Sequence, residues 1–412
     1  MLLSIYLANK HQQHNESVFG GLYGFGPAVQ GLVQHHRLGA IDKNYGWWCY
    51  AGRMPILPIL GAASYTLSEK MVAFLWLKNL VFWSLWIYGL FRLKRRYCIP
   101  DRWAMVTVAV LLFTPYNLSI AGWADVEEGF LFALLSLLFT LLLTLEKSLG
   151  ALAAGLLLAT IYLTKSSMLP LCLAASIWIV IKYWRSPAPV IIPMATLALA
   201  IFGWGFYVQA LSGVFAFGAD ASSWNGWNLY KGNNPYAGAL YPRISLDVLD
   251  YEDYAHKLLP STPVSNEWDL NHAQLLLAQR YIWQNRSAVL KMDLKKLFVA
   301  CCDVKESPEA TAGHTRATVV LSNVISHLTL ACVLLVAIVN VVRRQISQAE
   351  ILAALLTIAY VLPYFAGFLY MRHMAPIYGL MALTAAVQLT RWPTGSGAIT
   401  EFSSGAAVGL RV

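Results

Sequence analysis

Three acids crowd into GWADVEEGF, residues 122–130: Asp125, Glu127 and Glu128. Apolar runs lie on both sides. A carboxylate at the edge of such a run is costly unless it is paired or reaches a wet cavity, so it marks function by default. Capping the next helix, where negative charge suits the dipole, accounts for one or two of the three. Cations recur at the same level of other runs: Arg53 in AGRMPILPIL (51–60), Lys165 in YLTKSSMLP, and Arg372, beside His373, in LYMRHMAP. Arginine offers a rigid fork of donors that fits a phosphate. Acids and cations gathered on one membrane face suit a general base beside a phosphate-bearing lipid. A sugar on a polyprenyl phosphate is already activated, since the phosphate leaves. The protein must hold that phosphate, orient an acceptor hydroxyl and take its proton.

The elements that must position these groups are membrane helices. The 412 residues have a mean hydropathy of +0.54 and are only 12% charged, whereas soluble domains are about 25% charged. Runs approaching the length of a bilayer crossing fall near 71–92, 103–121, 128–146, 149–165, 168–183, 188–211, 317–341, 350–370 and 374–391. The expected fold is therefore an all-α polytopic membrane protein of about nine spans, with external juxtamembrane helices and a mixed, mainly helical external insert. The net charge of +9 sits largely in short clusters between runs, at Arg92–Arg96, Lys147, Lys182, Arg185, Arg343–Arg344 and Arg391. That pattern orients the chain with those clusters in the cytoplasm and gives no reason to expect nucleic acid as a partner. The acids and cations above then face outside.

The expected organisation is an external N-terminal loop over 1–70, transmembrane helices over 71–211, an external soluble insert over 212–316, transmembrane helices over 317–391, and a disordered Gly/Ser-rich cytoplasmic tail over 392–412. The insert holds 11 of the 21 acidic residues. Within it, LKMDLKKLFVACC (290–302) puts Leu290, Leu294, Leu297 and Phe298 on one side and Lys291, Lys295 and Lys296 on the other. The pattern suits a helix lying on headgroups, or equally one packed on the insert's own core. Six cysteines show no metal-type spacing. His35, His36 and His373 are candidate ligands for a divalent metal ion, the one cofactor considered.

Five stretches, in order along most of the chain, resemble integral-membrane glycosyltransferases of the C-type superfamily, in the bacterial branch similar to protein O-mannosyltransferases and the lipid A aminoarabinose transferase. YGFGPAVQGLVQHHRLG (23–39) with AGRMPILPIL looks like the family's first external loop and its Arg-x-Pro-x-x-Pro element. ADVEEGFLFALL looks like the second. NLYKGNNPYAG resembles a Gly-Asn-Asn-Pro loop, AQRYIWQNRSAVLKMDLKKLF an amphipathic helix, and RHMAPIYGLMAL the start of a late span.

The resemblance implies a glycosyltransferase in the bacterial inner (plasma) membrane, with its active site facing the periplasm. It implies transfer of a sugar from a polyprenyl-phosphate donor to a glycan, lipid or protein acceptor, with the insert as a lid. Tyr230, Lys231, Asn233 and Asn234 then form the donor loop, while Arg53, Lys165 and Arg372 hold the lipid phosphate. A plain turn with interfacial aromatics is the bland alternative for the loop. The family's acid early in the first loop is out of register here, where Gly21-Leu22 stands. Then Asp125 or Glu128, with Glu127 beside them, is the base, or a shifted Glu16 or Asp42 is, or the chain is inactive or truncated. Only Met1–Ala8 precedes that loop, so the family pattern leads one to expect a further helix ahead of it. An O-antigen polymerase or ligase is the rival enzyme and would rely on Arg and His in its large loop. A lipid or glycan transporter is the non-enzyme rival and should show paired halves with interrupted helices.

Overall fold

The computed structural model describes residues 26–41, 46–50, 52–68, 71–112, 127–145, 148–218, 223–241, 246, 264–302, 316–367, 369 and 371–391. The first loop contributes α1 (Gly26–His35), a hairpin of β1 (Ala40–Ile41) and β2 (Trp48–Cys49) with Ala40 opposite Cys49, and α2 (Ile56–Ser68). Then come α3 (Met71–Tyr97), α4 (Asp101–Leu112), α5 (Glu127–Thr144), α6 (Ser148–Thr164), α7 (Leu169–Tyr183) and α8 (Pro187–Ser212). The insert holds α9 (Ser223–Gly232), α10 (Ala237–Leu240), α11 (Glu267–Gln284) and α12 (Arg286–Cys302). Helices α13 (Arg316–Val342), α14 (Gln348–Ala366) and α15 (Ala375–Arg391) follow. A helix covers each expected apolar run, the second being described as far as Leu112. Among the described residues four segments are long and apolar enough to cross a membrane: Glu127–Thr144, Ser166–Tyr183, Pro187–Ser212 and Gln348–Ala366. The described part of the insert is helical, and the one hairpin belongs to the first loop.

Helix α5 is the centre. Its residues are apolar all round, and 94% of the span is buried, as a helix without a polar face demands. It packs on α3, α15 and α6. Phe132 meets Phe82 with ring centroids 4.8 Å apart. By contrast α8 is 22% buried and turns Leu199, Phe202 and Phe206 outward. Its inner side lies close against α6, because Gly155 leaves room there: a Cβ on Gly155 would stand 2.9 Å from Pro193 Cα. Small residues let membrane helices approach in this way.

The basic ends are stitched together. Lys182 at the end of α7 donates to the carbonyls of Leu142 (2.8 Å) and Leu143 (3.3 Å) at the end of α5, placing positive charge where the helix dipole is negative. At the same level Glu350 opens α14 in a capping box with Ser347. Its carboxylate also accepts from Asn340 (2.6 Å) and Gln388 (2.8 Å), which joins α13, α14 and α15.

The insert has its own apolar core of Trp227, Tyr230, Ala237, Tyr241, Leu246, Ala278, Met292 and Val299. Its attachment to the bundle is main-chain work. Tyr241 Oη donates to Leu369 O at 2.9 Å, and Lys296 Nζ donates to Phe365 O at 3.4 Å. Gly232 lies against the end of α14, where a Cβ would be 1.9 Å from Gly367 O.

Candidate functional site

The site forms at the helix ends opposite the basic clusters. Helix α5 begins with Glu127 and Glu128 because the next residues are apolar and the first turn favours carboxylates. Helix α6 ends at Thr164, and Lys165 is extended (φ −154°, ψ 109°) before a 3₁₀ turn, Ser166–Met168. This turn brings Lys165 Nζ to 2.5 Å from Glu127 Oε2 and 3.4 Å from Glu128 Oε1. From the other side a second 3₁₀ turn, Met371–Met374, brings His373 Nε2 to 3.5 Å from the same Glu128 oxygen.

Helix α14 supplies the aromatic wall. Tyr364 stacks on His373 with centroids 4.2 Å apart and planes at 23°. Lys165 Nζ lies 5.0 Å from the Tyr364 ring centroid. Tyr360, one turn back, approaches Tyr364 through their hydroxyls at 3.4 Å. Four segments distant in sequence therefore converge on six side chains.

The electrostatics follow from burial. The side chains of Glu128 and His373 are 6% and 3% exposed, those of Glu127 and Lys165 11% and 23%. Burial alone would lower the Lys165 pKa, but the charges of Glu127 and Glu128, with the hydrogen bond to Glu127, outweigh it and raise the value. Two carboxylates face one lysine, and the His373 ring closes the cluster on the Glu128 side.

No family model matches the sequence, and no curated protein matches it. The chain is similar to ArnT. Two crystal structures of ArnT from Cupriavidus metallidurans align with it at 14% identity. The one bound to undecaprenyl phosphate covers 95% of this chain and 76% of ArnT, with a TM-score of 0.38. The apo form covers 90% and 72%, with a TM-score of 0.35. At these scores no residue role passes from ArnT to this chain.

Of the expected acids, Glu127 and Glu128 stand in the cluster; Asp125 and Asp42 lie outside the described residues. Of the expected phosphate ligands, Lys165 is in the cluster, held by carboxylates. Arg53 is half-buried in the turn before α2. Arg372 sits in the 3₁₀ turn beside His373, its side chain outside the described set.

The residues of the expected donor loop have contacts of their own. Asn233 Nδ2 donates to Leu229 O (2.9 Å) and Ala366 O (2.8 Å). Asn234 Nδ2 donates to Tyr230 O (2.9 Å), while its Oδ1 accepts from the amides of Tyr236 and Ala237, which start α10. Both asparagines are buried, and these contacts spend them on main chain. Lys231 is 2% exposed, with Nζ 5.4 Å from the Trp227 ring centroid. Tyr230 lies in the insert core, where burial and then Tyr236 push its pKa up to about 12.

Among the described residues no three His, Cys, Asp or Glu side chains gather in a metal-holding group; His35 packs edge-on against Trp48. Sequence reasoning missed Tyr360 and Tyr364, although their four-residue spacing puts them on one helix face. It also missed Glu267, which is buried and accepts the Tyr50 amide at 2.7 Å, tying insert to first loop. No local pattern signals that bond.

Proposed function

We propose that this chain is a membrane glycosyltransferase that moves a sugar from a polyprenyl-phosphate donor to an acceptor on the external face, with Glu128 as the general base. The observation that carries the reading is the buried cluster in which Lys165 is shared by Glu127 and Glu128 while His373 touches Glu128. The ordered likeness of its motifs to C-type glycosyltransferases supports the class. In the reaction the acceptor oxygen bonds to the anomeric carbon. The bond from that carbon to the phosphate oxygen breaks, the phosphate keeps the electron pair, and the hydroxyl proton passes to Glu128.

Glu128 suits this task better than Glu127. The tight contact of Lys165 is to Glu127, so that carboxylate is occupied by the lysine. Glu128 meets Lys165 only at 3.4 Å and has His373 beside the same oxygen, so the ring orients the carboxylate. Its burial means the acceptor reaches it only when covering elements part, a common duty of lids. Arg53 and Arg372 hold the lipid phosphate in this reading.

The extent of burial also favours a second reading, in which the cluster is a structural tie between helices. One experiment separates the two. Membranes carrying wild type, Glu128→Gln, Glu127→Gln or Asp125→Asn are incubated with polyprenyl-phosphate sugars, and transfer and protein abundance are followed together. Glu128→Gln should lose about 10²–10⁴-fold in kcat at normal abundance. Full activity in that variant refutes the assignment. Loss of abundance in step with activity supports the structural tie.

A further inference from the structure

Helix α12 is amphipathic in the opposite sense to a helix of a soluble domain. Leu290, Leu294, Leu297 and Phe298 are 60%, 59%, 42% and 66% exposed. Two lysines of the other face, Lys295 and Lys296, are turned inward. Lys296 is wholly buried and bonded to Asp293 at 2.9 Å, and burial lowers its pKa. Lys295 donates to the carbonyl of Tyr241. Met292, Val299 and Ala300 fill the rest of the inner side. The core-packing alternative for the leucine stripe is thereby removed: the core lies on the other side of the helix.

The helix that carries the stripe has a neighbour with outward apolar residues. Helix α12 packs against α14, whose Ile358 and Leu362 are 68% and 54% exposed in a segment able to cross a membrane. The charge on the corner between α11 and α12 has one sign. Arg280, Arg286 and Lys291 are exposed there, with Trp283 beneath Arg286 at 4.4 Å. Asp293 is the only acid in 270–302, and it is bound to Lys296.

We propose that this face docks on the bilayer surface, with Leu290, Leu294, Leu297 and Phe298 below the headgroups and Arg280, Arg286 and Lys291 on anionic lipid phosphates. An exposed apolar stripe flanked by cations is the recognition chemistry of an anionic headgroup layer. The inference does not rest on sugar transfer. It bears on the site all the same, because α12 packs against the 3₁₀ turn that carries His373.

The test uses the full chain in nanodiscs of phosphatidylcholine with phosphatidylglycerol. A benzophenone amino acid replaces Leu294 or Phe298, with Met292 as the inward control, and photoadducts are read by mass spectrometry. Positions 294 and 298 should give lipid adducts, and position 292 adducts within the chain. Phosphatidylglycerol should be enriched on the order of fivefold over its share of the bilayer. The triple variant Arg280→Gln/Arg286→Gln/Lys291→Gln should bring that ratio to its bulk value while lipid adducts persist. Adducts to a second copy of the chain, or no lipid adduct at 294 and 298, overturn the docking surface. Lipid adducts without enrichment in the parent chain overturn the anionic part.

Discussion

Replacing Gly232 with alanine should loosen the insert from the membrane helices. The added Cβ would stand 1.9 Å from Gly367 O and 2.6 Å from Gly367 C, where real Cβ contacts stay above 3.0 Å. Both neighbours are main chain, so no side chain can swing away. The end of α14 or the loop must shift, and three bonds depend on their relative position. These are Asn233 Nδ2 to Ala366 O (2.8 Å), Tyr241 Oη to Leu369 O (2.9 Å) and Lys296 Nζ to Phe365 O (3.4 Å). Overpacking costs about 1–3 kcal/mol, and losing one such hydrogen bond adds about 1 kcal/mol. The expected loss is therefore about 2–4 kcal/mol. Heating purified protein in detergent and following the folded fraction by size exclusion measures it. Gly238→Ala is the control, since nothing lies within 4 Å of a Cβ there. If Gly232→Ala melts with wild type and with that control, the close crossing described here is wrong.

Lys165→Met leaves Glu127 and Glu128 buried without their lysine and should destabilise by about 3–5 kcal/mol; adding Glu127→Gln should recover part of this in the same melting assay. The Lys165 value is raised in the fold, so its stabilising share is complete below the ordinary lysine value of 10.5 and fades as pH climbs toward the raised value. Alkaline melting curves should show a loss in wild type that Lys165→Met lacks. Glu350→Ala removes the acceptor shared by Ser347, Asn340 and Gln388, and each buried donor left unsatisfied costs about 1–3 kcal/mol. Faster proteolysis at the junction of α13 and α14 reports that opening.

Apolar runs and their basic flanks disclosed the helices because hydrophobicity over twenty residues is a local property. Glu127, Glu128 and Lys165 were legible for the same reason: charge at the edge of an apolar run stands out in one dimension. His373 was visible as a candidate metal ligand and, beside Arg372, as a basic residue at an external helix end; which acid it meets was not, since that partner lies on a helix encoded far upstream. For Asn233 and Asn234 the sequence leaves two roles open, for a physical reason. An asparagine that recognises a ligand and one that caps a short helix have the same local sequence, and only the position of neighbouring amides and carbonyls separates them. In 290–302 the residue pattern separates two faces of the helix but not which face turns inward, because Lys295 and Lys296 are satisfied by carbonyls from distant segments.

The enclosure of α5 has a consequence for biosynthesis. This helix emerges from the ribosome long before α15, which closes one of its flanks. Until α15 arrives, that flank faces lipid or the insertion machinery, and Glu128 waits without the imidazole that arrives just ahead of α15. A nascent chain halted before residue 371 therefore carries its carboxylates unfinished.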